Sequence, residues 1–416
     1  IGAAWCGRLE IRFGPLVLVL LLMLIGHSIG ALVMGQYGQP RYSWNMLWQW
    51  VSLGICFFLA MQVLRTGMEC RAFASVALAL AVLLSSHGYY QYFHALPAAR
   101  EAYVENPERE LRKAAIYAPP GSVERKQFED RLLSTEPFAT FSLANSLAAM
   151  LSPWLLAVIG ITATNLARMR GDPVRWGVAL ATAAIIAGCW VLTKSRAAWL
   201  ATLMALVLLV LHGWRRGWWR PGKWTLAGLS MATVLSVLFG IATGSLDLLV
   251  LSEAAKSFLY RTEYWQATLE MIRDHPWFGC GPGNFQQYYT AYKLPEASET
   301  ISDPHNFLLE IWATAGTPTM IAFVALFVAI SLRIWTSCRP AGDPDPPAVD
   351  KEEGFVRPIY WGALAGFLMA FFPCGFLVGY PPEPVLWLLA SIGALVLAGW
   401  HWWVVDGELR VGVTVC

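Results

Sequence analysis

Long apolar runs recur along the whole chain, separated by polar turns, and the spacing of those turns is the first thing the sequence shows. Read in windows of about 19 residues, the runs predict ten spanning helices. They lie at roughly 13–34, 44–64, 71–88, 138–162, 174–192, 197–212, 224–243, 306–334, 357–378 and 385–404. The 197–212 run is short; it either tilts little or extends back through Lys194. Two long polar stretches interrupt the series, about 89–137 and 244–305. The predicted fold class is all-α: a polytopic helical membrane protein of about ten transmembrane helices with two long extracytoplasmic loops, read as one integral membrane domain over 1–416.

Orientation follows from where Lys and Arg collect. With a cytoplasmic N-terminus, the inside segments hold Arg8, Arg12, Arg65, Arg71, Arg168, Arg170, Arg175, Arg215, Arg216, Arg220, Lys223, Arg333, Arg339, Lys351, Arg357 and Arg410. The short outside turns hold only Arg41, Lys194 and Arg196. Both long loops then lie outside. The first mixes seven basic with eight acidic residues and reads as a solvated helical hairpin capping the spans. In the second, 252–274 reads as a helix, because Phe258, Thr262, Trp265, Leu269 and Ile272 recur three and four apart as one mostly apolar stripe. Such a stripe suits the headgroup region of a bilayer. Pro276 and the glycines at 279, 281 and 283 then break that helix.

Composition agrees with the pattern. Of 416 residues, 56% are hydrophobic and 14% charged, with mean hydropathy +0.48, against about 25% charged in soluble proteins. A net charge of +2, with its basic residues scattered between spans, argues against nucleic acid. The eight cysteines (6, 56, 70, 189, 280, 338, 374, 416) show no paired spacing and predict neither a disulfide framework nor a zinc site. No metal-ligand spacing stands out, so a metal-free, cofactor-free chemistry is expected. Asp343-Pro-Asp345 matches a loose D-x-D pattern but lies in the inside linker 336–356 and is set aside. No signal peptide is visible, and a chain that starts at Ile1 and stops at Cys416 in mid-pattern reads as a fragment.

Topology alone puts three chemistry-bearing residues on one side of the membrane. Arg196, in Thr-Lys-Ser-Arg-Ala-Ala-Trp, stands at the outer mouth of a span, where an arginine is either functional or snorkels to the headgroups; Lys194 beside it either adds a second charge or anchors the span. Arg261 has a fork suited to phosphate, or else pairs with Glu263 or Glu253. His305 follows Asp303, a good N-cap, and Pro304, a good first-turn residue. That arrangement predicts His305 in the first turn of the next span, kept neutral by the helix dipole and available as a base. Asn306 or Asp303 would fix its tautomer. Asn145, in Thr140-Phe-Ser-Leu-Ala-Asn145, either meets substrate or stabilises helix packing. The 279–283 glycines either form an anion-binding turn or simply end a helix.

Together these stretches resemble the O-antigen ligase and polymerase superfamily of bacterial envelope proteins, over roughly 135–330. The carriers are Thr140-Phe141 with Asn145, Ser195-Arg196-Ala-Ala-Trp199, Arg261 with Trp265, His275 to Phe285, and His305-Asn306 followed by Glu310 and Gly316. The resemblance implies metal-independent, inverting transfer of a glycan from undecaprenyl pyrophosphate on the outer face of the bacterial cytoplasmic membrane. It implies Arg196 and Arg261 on the pyrophosphate and His305 as the base. The acceptor would be lipid A–core, a protein or another glycan; a polymerase extending the lipid-linked glycan and a protein O-oligosaccharyltransferase are the neighbouring readings. Ligases of this family usually carry about two more spans before the equivalent of residue 13, and the 89–137 loop is larger than in the simplest members. A transporter without chemistry would show internal repeats and midplane polar residues, and neither is visible.

Overall fold

A computed structural model describes residues 11–215 and 248–337, apart from 36, 65, 115, 118, 170–172, 296, 298 and 299, together with residue 362. The described chain is helical throughout, without a strand among the described residues. The protein is a polytopic helical membrane protein. Among the described residues, five helices are long and apolar enough to cross a membrane: Pro15–Met34, Pro40–Val63, Gly67–Glu105, Ala144–Thr162 and Phe307–Arg333. Shorter apolar helices at Trp176–Leu192 and Arg196–Leu208 match two more expected spans. The expected spans 224–243, 357–378 and 385–404 and the D-x-D linker lie outside the described residues.

The chain divides into two compact units: Ile1–Arg65 with Gly222–Pro340 and Thr414–Cys416, and Thr66–Pro221 with Ala341–Val413. In the first, α1 (Pro15–Met34) and α2 (Pro40–Val63) each open on a proline, which lacks the amide that a first turn leaves unpaired. The unit continues with α10 (Leu248–Asp274), α11 (Phe285–Tyr292) and α12 (Phe307–Ser337); the intervening numbers belong to the second unit. Helices α1 and α12 run antiparallel. Gly30 meets Thr314, Gly26 meets Thr319, and Leu16, Leu20 and Met23 pack with Phe323 and Leu326. Lipid tails are as apolar as leucine, so association inside a bilayer depends on close fit. Gly26 supplies it: a Cβ there would lie 2.1 Å from the Thr319 hydroxyl. Helix α12 is broken at Gly316 (φ 83°, ψ 172°), just ahead of Pro318. The backbone after α10 fills that break: Thr317 N–H donates to the Pro276 carbonyl and Cys280 N–H to the Ala313 carbonyl, each at 2.8 Å.

The second unit packs α3 (Gly67–Tyr90), α7 (Ala144–Met169), α8 (Pro173–Leu192) and α9 (Arg196–Arg215) around Leu78, Val82, Leu147, Leu151, Leu155 and Ile186. The expected span 71–88 does not stop at 88. It passes through a π-helical turn, Gln91–Ala95, into α4 (Leu96–Glu105). The reason is Gln91. Its side chain accepts from Phe138 N–H and Ala139 N–H (3.1 and 2.7 Å) and donates to the Ala139 carbonyl (2.9 Å), so the helix continues to carry it. The rest of the first loop forms α5 (Pro107–Lys113) and α6 (Val123–Leu133). Arg125 ties them, bonding Glu108 at 2.9 Å and Glu129 at 3.1 Å, while Tyr103 O–H donates to Glu129.

Candidate active site

In the first unit, α10 carries the candidate arginine toward the chain that precedes α12. The buried face of α10 is Tyr264, Ala267, Thr268, Met271 and Ile272. The expected stripe is rotated from this: Ile272 is shared, Leu269 is exposed, Trp265 and Thr262 are half-buried, and the side chain of Phe258 lies outside the described residues. The face is set by what it packs on, namely Phe285 and Tyr289 of α11 and Ala313 of α12, rather than by apolar character alone. Trp265 is still a structural residue. Its indole N–H donates to the Pro304 carbonyl at 3.0 Å, and the Tyr264 ring meets the His305 ring edge-on at 6.2 Å.

His305 does not lie in the first turn of the helix. Helix α12 begins at Phe307, and its cap is Asn306, whose Oδ1 accepts from Leu308 N–H at 3.1 Å and Leu309 N–H at 3.4 Å. Asp303 is occupied elsewhere: its Oδ1 accepts from the His305 backbone N–H at 2.8 Å and lies 3.0 Å from His305 Nδ1. His305 is held in the left-handed region (φ 49°), a conformation that costs a non-glycine residue of order 1 kcal/mol or more. The expectation of Asp303 as cap and Pro304 in the first turn fails because Asn306, the nearer good capping residue, stands directly before the apolar run. His305 therefore lies outside the first helical turn, and its contact with Asp303 sets its tautomer. A carboxylate only accepts, so a neutral His305 must carry its proton on Nδ1, which leaves Nε2 as the accepting nitrogen. The side chain is 49% exposed, so that nitrogen can be reached.

Arg261 is one turn ahead of Trp265 on the same side of α10. It is half-buried, and among the described residues it makes no hydrogen bond or ion pair, with Glu263 included. The side chain of Glu253, the other partner weighed for it, lies outside the described residues. The glycine run is explained by close approach. Gly279, Gly281 and Gly283 have φ of 64°, 89° and 76°, and a Cβ at Gly283 would sit 2.5 Å from the Tyr42 carbonyl oxygen. Asn284 locks the run to the α1–α2 turn: its Oδ1 accepts from Gln39 N–H (3.0 Å) and its Nδ2 donates to Ser43 Oγ (2.9 Å). Cys280 is buried, with its thiol against the Gly281 carbonyl.

In the second unit the other candidates gather at one end. The C-terminal ends of α3 and α8 meet the N-terminal end of α7 there, with Gly88 against Cys189 and Leu147. Asn145, second residue of α7, is exposed. Lys194 (φ 52°) forms the turn between α8 and α9, which do not join through it, and its ammonium donates to Thr135 Oγ1 at 2.8 Å. Arg196, the first residue of α9, is exposed. Lys194 therefore ties the α8–α9 turn to the segment ahead of α7. Three roles were missed by sequence reasoning: the Tyr264 contact, the Trp265 clamp and the Asn306 cap. Only the last had a local signal, an asparagine one residue before an apolar run.

The family model described as O-antigen ligase matches residues 181–324. That segment contains Lys194, Arg196, Arg261, Asp303, His305 and Asn306, and excludes Asn145. Comparison with curated proteins and with solved structures gave no match.

Proposed function

We propose that this chain, which residues 181–324 make a member of the O-antigen ligase superfamily, transfers a glycan from undecaprenyl pyrophosphate to an envelope acceptor. A glycosyltransferase of ligase or polymerase type is what the family implies in general; donor, direction and residues are our reading. The reaction takes place on the outer face of the bacterial cytoplasmic membrane, and the second loop, 244–305, contributes the catalytic residues. The acceptor hydroxyl attacks the anomeric carbon of the donor and passes its proton to His305 Nε2. The bond from that carbon to the phosphate oxygen breaks with inversion, and undecaprenyl pyrophosphate leaves with the electron pair. Arg261 and Arg196 neutralise the charge that grows on the departing phosphate. Asp303 holds the imidazole tautomer, Asn306 caps the helix behind it, and Lys194 and Asn145 line the donor's approach. Lipid A–core, a protein or a glycan can serve as acceptor in this scheme, which uses no metal and no cofactor.

The observation that carries the reading is the Asp303–His305 pair, 3.0 Å apart, held by Trp265 one turn along α10 from Arg261, whose fork makes no hydrogen bond or ion pair among the described residues. A general base contributes about 10²–10⁴-fold. His305→Ala should therefore lower transfer from a defined lipid-linked oligosaccharide by that factor in a well-folded preparation. Unchanged transfer removes His305 from the mechanism. Chain lengthening without added acceptor overturns the ligase direction in favour of the polymerase.

A further inference from the structure

The length of α1 decides where the glycine loop sits. Helix α1 has 20 residues; at 1.5 Å per residue it is about 30 Å long, which is the thickness of the hydrocarbon layer. It has no turn to spare, and tilt only shortens its reach. The residues before it, Ile11–Gly14, are irregular chain with Ile11 and Phe13 exposed, and lipid-exposed irregular backbone is excluded from hydrocarbon. They do not add to the span. Gly30 lies four residues before the end of α1, hence about 6 Å inside it along the axis. A Cβ at Gly30 would be 3.0 Å from the Phe278 carbonyl oxygen and 3.6 Å from Pro282. The loop after α10 is therefore held below the end of a helix that barely spans.

The loop is built for that depth. Gly279, Cys280, Gly281 and Pro282 are buried in protein. Gly279 N–H donates to the His275 carbonyl (3.1 Å), Cys280 N–H to Ala313 (2.8 Å) and Asn284 N–H to Gly281 (3.2 Å). Irregular backbone survives at membrane depth only when protein buries and satisfies it in this way. At the tip, Trp277 is 68% and Phe278 44% exposed.

We infer that residues 275–284 form a re-entrant loop, dipping into the bilayer from the side on which α1 ends, and that Trp277 and Phe278 pack against bilayer acyl chains. Their side chains are large and apolar, the described residues leave them exposed, and at that depth the surrounding medium is hydrocarbon. The loop thereby fixes α1, α2 and α12 at one level of the membrane.

The test reads depth rather than transfer, so it stands apart from the proposed function. Full-length protein depleted of its own cysteines and carrying Trp277→Cys or Phe278→Cys is spin-labelled in phosphatidylcholine vesicles. Collision with oxygen should exceed collision with a water-soluble nickel chelate by severalfold at both sites, as at Leu18→Cys on the exposed face of α1. Nickel accessibility like that of Tyr117→Cys in the first loop overturns the inference, and so does shielding from both reagents. Should the cysteine variants fail to fold, benzoylphenylalanine in place of Phe278 provides the second measurement. Photo-adducts with phospholipid acyl chains are expected, and adducts with peptide alone overturn the inference.

Discussion

The end of the first unit that carries His305 and the end of the second unit that carries Arg196 hold their functional side chains in different ways. Around His305 every neighbour is tied by a side chain. Asp303 bonds both the amide and the ring, Trp265 reaches across from α10 to Pro304, and Asn306 caps the helix that follows. Around Arg196 most of the ties are local, with Lys194 N–H donating to Val191, Trp199 N–H to Ser195 and Thr193 Oγ1 to Trp190, and the Lys194 ammonium on Thr135 is the long-range one. Arg196 itself projects as an exposed side chain from the first turn of α9. The contrast matches what each group has to do. A base must present one lone pair in one direction, whereas a cation that neutralises phosphate acts through charge and tolerates a looser tether.

The largest effect is expected at Arg261. Arg261→Ala should lower transfer by about 10²–10³-fold, and Arg261→Lys should recover only part of it, because an ammonium keeps the charge and loses the planar fork. Full recovery by lysine would mean that charge alone matters there, as proposed for Arg196. A smaller effect is expected from Trp265→Phe, which keeps an aromatic ring and removes the donor to Pro304. Loss of one hydrogen bond of about 1 kcal/mol predicts roughly a fivefold to tenfold fall in kcat with KM little changed. A change in KM alone would say that Trp265 touches substrate instead of positioning the base.

The smallest effect belongs to the second unit's cap. Hydrogen bonds from Tyr103 and then Arg125 hold the Glu129 carboxyl below its ordinary value. A lowered folded value means that the stabilisation is complete above the ordinary carboxylate range and is lost as pH falls through the lowered one. Amide hydrogen exchange in α6 should therefore speed up as pH drops from about 4.3 once the intrinsic rate is corrected, while exchange in α7 around the buried Leu147 and Leu151 stays flat. Equal acceleration at both places would remove the claim that this linkage is local to the cap.

Much of this molecule was legible in its residues. The spans at 13–34, 138–162 and 306–334 appear close to their expected bounds, and Arg261 and His305 could be singled out before any fold was known. What could not be read was how neighbours divide their hydrogen bonds. Asp303 and Asn306 are both good caps, and only the backbone path shows that Asp303 is engaged by His305. The stripe on α10 was misplaced for the same kind of reason, since Leu269 is apolar yet has no partner helix opposite it.

Hydropathy and the distribution of Lys and Arg determined that this is a helical membrane chain. An apolar run can satisfy every backbone amide only by coiling on itself, and that requirement is local. Tertiary structure alone decided what the Trp265 indole holds and how deep the glycine loop sits. It also decided why glycine is needed at 279, 281 and 283. Each of those depends on contacts between residues far apart in the chain, such as Trp265 with Pro304, 39 positions on, or Gly30 with Phe278, and no window along the sequence contains both partners.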